Sequence, residues 1–351
     1  MEPSVLSPGT LNRTLLARQH LLERTLADPI TVMEEMGGIQ MQYAPAGYIG
    51  LWSRTRDFTR PMLTRALEEQ RAIQGTMLRA TIHTVSAADY WPSMAGIRRF
   101  NREWFTRVQG REIGSTDMVA VVAAVRGELA AGPLRFGELT ERIAGRGFPS
   151  RATAWAATWV DMVRVPPSGT WDRRRADLYA LAETWLPPDR DLAEDEGIEH
   201  LIGRYLGAFG PAPLKDIATW MGLNVGQMRH VAERMELRPY ADETGRPLVD
   251  LPHGRVLEAF TPAPPRFLPV WDATLLVHAR RTRILPEQHR AKIFHTKTPH
   301  SVNSFLVDGQ VAGTWRHTDG EIRLAPFGRL AAADRRAVEE EAHGLALLHA
   351  E

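Results

Sequence analysis

Gly37-Gly38-Ile39-Gln40-Met41-Gln42 runs directly into Tyr43-Ala44-Pro45, and this stretch predicts a tight connection between two helices. The glycine pair is typical of a helix end, where a left-handed residue is often required. Pro45 favours the first turn of the next helix, because its missing N–H would have no intrahelical partner there. Residues two positions apart in an extended segment point the same way, so the Gln40 and Gln42 amides are expected to face one small volume. They would hold a water molecule or a substrate there; two polar loop residues without a role are the alternative.

The composition describes a chain that can bury a large core, since 44% of its 351 residues are hydrophobic. This length accommodates two or three domains. The absence of cysteine excludes disulfides, iron–sulfur clusters and cysteine-based zinc sites. The longest apolar run, residues 118–125, is too short to span a bilayer, and the N-terminus lacks a signal-peptide pattern. We therefore expect a soluble cytoplasmic protein without a membrane partner.

The kind of basic residue is more informative than the net charge of +1. Of the 43 basic residues, only Lys215, Lys292 and Lys297 are lysines, and the other 40 are arginines. Arginine binds phosphate in a bidentate manner and stacks on bases, which suits DNA; a GC-rich genome is the alternative explanation. The scarcity of lysine also argues against Schiff-base chemistry at a sugar carbon, because that chemistry needs an amine nucleophile.

The order of predicted elements repeats along the chain, although the residues themselves do not. Helices followed by a short ribbon occur three times, and this order is typical of a winged helix-turn-helix. Short strands and two Asp-Gly hairpin turns then follow a proline-rich linker at residues 261–265, which predicts a small antiparallel barrel or sheet. The predicted units are residues 1–110 with the glutamine stretch, 111–195, 196–260, 261–330 and a terminal helix at 331–351.

Hydrophobic spacing predicts helices at residues 11–28 and 150–163, and a helix that begins after Ser86. Residues 165–179 resemble the wing of the second unit, with three consecutive arginines near its centre. A short strand is predicted at residues 293–295.

Several segments of the chain, in this order, resemble the winged-helix DNA glycosylases of the AlkZ/YcaQ type, which remove alkylated or crosslinked bases. The matching segments are residues 11–19, 38–42, 50–54, 79–83, 201–211, 216–220, 275–286 with 289–290, and 307–315. The resemblance implies an α+β, mainly α fold in which three tandem winged helix-turn-helix units and a C-terminal antiparallel β-barrel form a C around the duplex.

The family has one branch with Gln-apolar-Asp at the catalytic turn and another with Gln-apolar-Gln. This chain is similar to the second, AlkZ branch, which is associated with self-resistance to DNA-alkylating natural products. The resemblance therefore implies that Gln40 and Gln42 are catalytic. Glutamine is a poor general base, but an N7- or N3-alkylated purine is already cationic and leaves readily. Two amides that hold the attacking water and stabilise an oxocarbenium-like sugar would then suffice, and the product would be an abasic site without strand cleavage.

Further side chains are predicted to contact double-stranded DNA that carries alkylated purines. These DNA-binding candidates are Arg54, His83, Arg151, Arg173, Arg174, Arg175, Arg281, Lys292, His295, Lys297 and His300. A structural role is the alternative for His83, and a solvated basic run is the alternative for the three wing arginines. In the family, a barrel hairpin that matches the segment from Lys292 to His300 probes the minor groove; a basic loop without a DNA contact is the alternative. We expect a monomer that uses no metal and no cofactor, because no metal-ligand motif is present.

Two functions of other classes compete with this hypothesis. A non-catalytic regulator would bind specific DNA sequences without releasing a base, since most winged helices only grip DNA. A nuclease or lyase is the second alternative, and the missing metal-ligand motifs and scarce lysines count against it.

Overall fold

The computed structural model describes residues 3–187, 191–294 and 301–351. The elements of the first predicted unit are β1 (Ser4–Leu6), α1 (Pro8–Arg18), α2 (Pro29–Glu35), β2 (Ile39–Gln40), α3 (Ala44–Trp52), α4 (Arg60–Glu68), β3 (Ala72–Thr76), β4 (Ile82–Ser86) and α5 (Ala87–Ile113). Those of the second are α6 (Met118–Leu129), β5 (Leu134–Arg135), α7 (Phe136–Gly145), α8 (Ala152–Ala156), β6 (Met162–Arg164), β7 (Leu178–Leu181) and α9 (Ala182–Trp185).

The third predicted unit contains α10 (Glu194–Phe209), α11 (Leu214–Met221), α12 (Val225–Ala232), β8 (Arg238–Asp242) and β9 (Pro247–Asp250). The C-terminal part contains β10 (Arg266–Leu268), α13 (Ala273–Leu276), α14 (Arg290–Ile293), β11 (Ser304–Val307), β12 (Gln310–Thr318), β13 (Glu321–Pro326) and α15 (Ala332–Ala350). The hairpins β11–β12 and β12–β13 confirm the two predicted Asp-Gly turns, and the hairpin β8–β9 confirms the ribbon predicted after the helices at residues 196–260.

Strand pairing joins the predicted units to one another. One six-stranded sheet has the order β2-β4-β3-β6-β7-β5, and its β3–β6 pair links the first and second units through Gln74 opposite Arg164. The N-terminal strand β1 lies parallel to β8 in a three-stranded sheet with β9. The unit boundaries, the count of three winged helices and the C shape stay predictions.

The C-terminal sheet is open rather than a closed barrel in the described residues. Its antiparallel order is β10-β11-β12-β13, and no pairing there joins β10 to β13. Helix α15 instead covers an apolar face, where Val338 and Leu345 share one core with Phe267, Phe305 and Trp315. A helix therefore buries the surface that closure would otherwise bury, and the predicted barrel is not found in this part of the chain.

The longest helix, α5, crosses α10 at a close approach of two backbones. Gly96 and Gly197 face each other, and a Cβ added to Gly96 would lie 2.6 Å from the Gly197 carbonyl carbon. Only glycine fits both positions, so the crossing depends on this pair. The contact holds the first unit against the third, and the six-stranded sheet is fixed beside it.

Two of the predicted helices are wrong in extent. Helix α1 ends at Arg18, because His20 adopts a left-handed φ of 52°, and Asp28 caps the next helix through a 2.9 Å bond from the Ile30 N–H. The helix predicted at residues 150–163 is only α8, and the segment continues as β6. The strand predicted at residues 293–295 is also wrong at Ile293, which ends α14; His295 lies outside the described residues.

Candidate active site

The glutamine stretch forms a short edge strand that is fixed at both ends. Gly37 and Gly38 have φ values of 73° and 81°, which end α2 in the left-handed region as predicted. Strand β2 then pairs with β4, with Gln40 opposite His83. Met41 is fully buried beneath α3, whereas Gln40 is half-buried and Gln42 is exposed. The extended backbone therefore directs the two glutamines to the same side.

The two amides contact each other. Gln40 Nε2 donates to Gln42 Oε1 across 3.1 Å, which confirms the prediction that both face one volume. Gln40 Oε1 accepts a longer, 3.4 Å hydrogen bond from Arg79 Nη2. An amide oxygen has two lone pairs, so each carbonyl keeps one acceptor position. The pair can accept two hydrogen bonds from one additional group, such as a water molecule.

The glutamines open into a cavity of about 450 Å³ between the first unit, the third unit and the C-terminal part. Its other lining residues are Arg79, Thr81, Thr219, Trp220, Trp271, Leu276, Val277, Arg281, Phe294 and Ser301. Among the described lining residues, three are aromatic, two are arginines and none is an acid. The walls can stack against a flat base, and the polar edge is formed by two amides and two guanidinium groups.

Two non-glycine residues of this cavity have left-handed backbones. Arg79 has φ 53° and Trp271 has φ 56°, and such conformations persist at functional sites because the surrounding structure enforces them. The Trp271 N–H donates to Ser301 Oγ across 2.6 Å. Arg281 lies over the Phe294 ring, 4.9 Å from its centroid, and burial lowers the pKa of Arg281.

Comparison with known proteins decides the family. The model of the family described as DNA glycosylase AlkZ-like matches residues 33–348, which is most of the chain. The chain belongs to the AlkZ-like DNA glycosylases. It is therefore an enzyme, a DNA N-glycosylase. It is 24% identical over 358 residues to an interstrand DNA cross-link repair glycosylase of Streptomyces sahachiroi, covering 93% of this chain and 92% of that protein.

A solved structure supports the same fold. The Streptomyces sahachiroi DNA glycosylase AlkZ superposes with a TM-score of 0.82 at 20% sequence identity, covering 98% of this chain and 97% of that chain. Parts of the chain that are hundreds of residues apart therefore share one overall fold with that structure.

Arg54 does not contact DNA in this glycosylase, contrary to the prediction. Its side chain is fully buried and forms a bidentate ion pair with Asp272, at 2.9 and 3.0 Å. It also donates to Gln19 Oε1 and Thr274 Oγ1. A guanidinium with these partners has no access to a phosphate, so Arg54 joins α3 to α13 as a structural residue.

His83 is also structural rather than DNA-binding. It is only 4% exposed, and its Nδ1 lies 3.1 Å from the Thr81 carbonyl oxygen. Burial lowers the pKa of His83 to about 3, and the charge of Arg79 contributes to that shift. A neutral histidine behind β2 supports Gln40 from the adjacent strand and carries no charge for a phosphate.

The second wing places its arginines at the surface near the glutamine turn. Arg173, Arg174 and Arg175 lie between β6 and β7, and all three are exposed. Arg174 Nη1 donates to the Tyr43 hydroxyl across 2.9 Å, one residue from Gln42. Arg175 pairs instead with Asp177. DNA contacts by these arginines stay predictions.

The remaining DNA-binding candidates have separate surroundings. Arg151 is exposed and pairs with Glu112 on α5. Arg281 lies in the same cavity as the glutamines. Lys292 is exposed, with its amine 4.6 Å from the centroid of the Phe327 ring. His295, Lys297 and His300 lie outside the described residues.

Neither a metal-binding cluster nor a membrane-spanning helix is found among the described residues. They contain no group of three or more His, Asp or Glu side chains that are placed to hold a metal ion. No described helix has both the length and the apolar character that crossing a bilayer demands.

Sequence reasoning missed most of the cavity wall. Arg79, Trp220 and Trp271 come from three distant parts of the chain and carry no shared motif. Two signals were available. Residues 79–83 and 216–220 belong to the segments that resemble the family, and no acid occurs from Gln70 to Ala88, so Arg79 has no local partner.

Proposed function

We propose that this glycosylase hydrolyses the N-glycosidic bond of cationic purines alkylated at N7 or N3 in double-stranded DNA. The observation that carries the proposal is the Gln40–Gln42 amide pair, at 3.1 Å, in a cavity whose described lining residues include no acid. Without a carboxylate to deprotonate water, hydrolysis depends on a base that leaves readily. An alkylated, positively charged purine meets that requirement.

In the proposed reaction, the bond between the sugar C1′ and the purine N9 breaks, and the base takes the bonding electrons and leaves neutral. Positive charge then develops on the sugar. A water molecule donates hydrogen bonds to Gln40 Oε1 and Gln42 Oε1, using the lone pair that each retains. Its oxygen attacks C1′ and its proton passes to solvent, while the two amide dipoles stabilise the oxocarbenium-like sugar.

The product is an abasic site in an unbroken strand. A lyase step would need an amine at C1′, and the lining of the cavity contains no lysine among the described residues. Lys215 is absent from that lining, Lys292 lies against Phe327, and Lys297 lies outside the described residues. The scarcity of lysine supports the proposal that the enzyme is monofunctional. We also propose that it acts as a monomer.

The substrate range is proposed to include bulky natural-product adducts and interstrand crosslinks, with a role in self-resistance. A relative that covers almost the whole chain is named for interstrand cross-link repair. The cavity has about 450 Å³ and walls formed by Trp220, Trp271 and Phe294, which suits a purine with an attached planar group better than a purine alone.

Single-turnover assays on a duplex with one N7-methylguanine, and on one with an N7-linked crosslink, test the proposal. Wild type should release the base, and strand breaks should appear only after alkali. The double variant Gln40→Ala/Gln42→Ala should lose at least a hundredfold in rate. The matched control Gln288→Ala removes an exposed glutamine from outside the cavity and should retain full activity.

Native-rate excision by the double variant would exclude the catalytic role of the glutamines. A wild-type protein that shifts the duplex in a gel but releases no base from any alkylated substrate would instead favour the non-catalytic regulator.

A further inference from the structure

Among the described residues, the Arg79 guanidinium has only neutral hydrogen-bond acceptors. It donates to the Trp220 carbonyl oxygen through Nη1, and to the Gln40 amide oxygen through Nη2. Among the described residues, no carboxylate lies within 4.0 Å of it, although most arginines of the first unit have such a partner. The side chain is half-buried at the wall of the glutamine cavity. A partly desolvated cation without an anion is an unfavourable arrangement unless a ligand supplies the charge.

The backbone holds this arginine in place. Arg79 and Ala80 both have left-handed φ values, 53° and 55°. The turn is closed by bonds of 3.0 Å from the Ala80 N–H to Met77 and 3.1 Å from the Thr81 N–H to Leu78. A strained loop that aims one charged side chain into a cavity is a feature of ligand sites.

The position of the charge is unfavourable for the proposed reaction when the site is empty. Arg79 touches Gln40, and positive charge develops on the sugar beside the two glutamines. Its field already reaches the neighbouring strand, where it helps to lower the pKa of His83. An unpaired guanidinium would therefore repel both the cationic purine and the oxocarbenium-like sugar. An anion bound to Arg79 would remove this repulsion.

We propose that Arg79 binds the DNA phosphate beside the damaged nucleotide, and that the site becomes competent for cationic purines only once that phosphate is bound. The inference rests on the proposed function, since it concerns the same cavity. Arginine binds phosphate oxygens through charge-assisted hydrogen bonds, and DNA places a phosphate on each side of every nucleotide. A free N7-methylated nucleoside, which has no phosphate, is then a poor substrate compared with the same lesion in a strand.

The test is a double-substitution cycle, in which a change of Arg79 is combined with the neutral replacement of one DNA phosphate. Duplexes carry N7-methylguanine, and a neutral methylphosphonate replaces one phosphate at a time on either side of the lesion. In wild type, one position should slow single-turnover excision at least tenfold. In Arg79→Gln, which is slow on native DNA, the same replacement should have no further effect. Arg79→Lys keeps the charge and should retain part of the coupling, and thermal unfolding shows that both variants are folded.

Arg281→Gln is the matched control, because it removes the other arginine of the cavity. The rate loss caused by Arg281→Gln and the rate loss caused by the methylphosphonate that slows wild type should multiply, because the two changes act on different contacts. Binding supplies a second readout: Arg79→Gln should reduce the slope of log affinity against log salt by about 0.9, the value for one phosphate contact.

The inference is overturned if the effect of Arg79→Gln multiplies with that of every methylphosphonate and the salt slope is unchanged. Excision by wild type would still leave the proposed function intact in that case. If wild type excises no alkylated purine, the proposed function fails, and the salt slope alone then decides whether Arg79 binds phosphate.

Discussion

Arg174 of the second wing donates a 2.9 Å hydrogen bond to the hydroxyl of Tyr43, the residue that follows Gln42. The guanidinium also lies 5.8 Å from the centre of the Tyr43 ring. The wing and the glutamine turn belong to different predicted units, and this contact joins them at the surface. DNA that engages the wing would therefore act on the orientation of the proposed catalytic turn.

Loss of this bond should slow excision without unfolding the protein. Tyr43→Phe and Arg174→Gln each remove one partner of a hydrogen bond worth about 1 kcal/mol, so each should slow single-turnover excision roughly fivefold. Since both changes break the same bond, the double variant should be no slower than the Arg174→Gln variant. Arg142→Gln on α7 is the control, because this exposed arginine pairs with Glu128 and Glu138 and not with the turn. Independent, multiplying effects of the two changes would argue against the coupling.

Arg54 should prove essential for stability rather than for DNA affinity. Arg54→Met leaves Asp272 buried without its partner, which should reduce the free energy of unfolding by about 3–5 kcal/mol in urea titrations. Arg56→Met, at a neighbouring exposed position paired with Glu23, should cost less than about 1 kcal/mol. A variant of Arg54 that keeps wild-type stability but binds DNA weakly would restore the original prediction of a phosphate contact.

The sequence predicted the features that depend on neighbouring residues. Gly37 and Gly38 require left-handed backbones locally, and the Asp308-Gly309 turn likewise has positive φ at both residues. Alternation along β2 directs Gln40 and Gln42 to one side, with Met41 between them beneath α3. These properties follow from backbone geometry over a few residues, so no knowledge of the tertiary structure was needed.

Features that depend on distant parts of the chain escaped the sequence. Residues 150–163 have helical spacing, but β6 pairs with β3 and this tertiary contact overrides the local preference. Arg54 was predicted to contact DNA at the surface because its ion-pair partner, Asp272, lies more than 200 residues away in the sequence. Arg79 reaches Gln40 through a turn in which Arg79 and Ala80 are left-handed, and the sequence does not predict that conformation because neither residue is glycine. The site is assembled by packing between units, and packing is not encoded in any one segment.

Acid should destabilise the fold through buried histidines. Burial lowers the pKa of His83 to about 3 and that of His278 to about 4, below the ordinary value of 6.5. Between these values the unfolded chain binds protons that the folded chain does not, so stability is complete above about pH 6.5 and falls as the pH drops toward 4. Urea titrations at pH 7 and pH 5 should differ by on the order of 2 kcal/mol for each histidine. In His83→Gln the slope should be shallower, and an unchanged slope would show that His83 does not titrate in this way.

Gln42→Asp should raise the rate on N7-methylguanine, by roughly tenfold. A carboxylate at this position accepts the Gln40 Nε2–H, attracts the proton of the attacking water and stabilises positive charge on the sugar. Single-turnover rates measure the gain. Gln42→Glu adds the same charge on a side chain as long as glutamine, which keeps its oxygen within reach of the Gln40 Nε2–H, and should gain at least as much. A decrease with both variants would show that the reaction depends on the amide N–H of Gln42 rather than on its acceptor.

Gly38→Ala should damage the site through its backbone. Gly38 has φ 81°, and an added Cβ would lie 2.9 Å from Cγ1 of Val85, so the turn must shift away from β4. The left-handed conformation costs a non-glycine residue about 1–2 kcal/mol, and the displacement should move Gln40 out of line with Gln42. We therefore expect a lower free energy of unfolding in urea together with at least tenfold slower excision.

Gly137→Ala is the control, because this glycine lies in α7 with open space around its Cα, and alanine there should stabilise the helix by about 0.5–1 kcal/mol at unchanged activity. Full activity in Gly38→Ala would mean that the glutamines tolerate a displaced strand, and the proposed two-amide water site would then need to be abandoned.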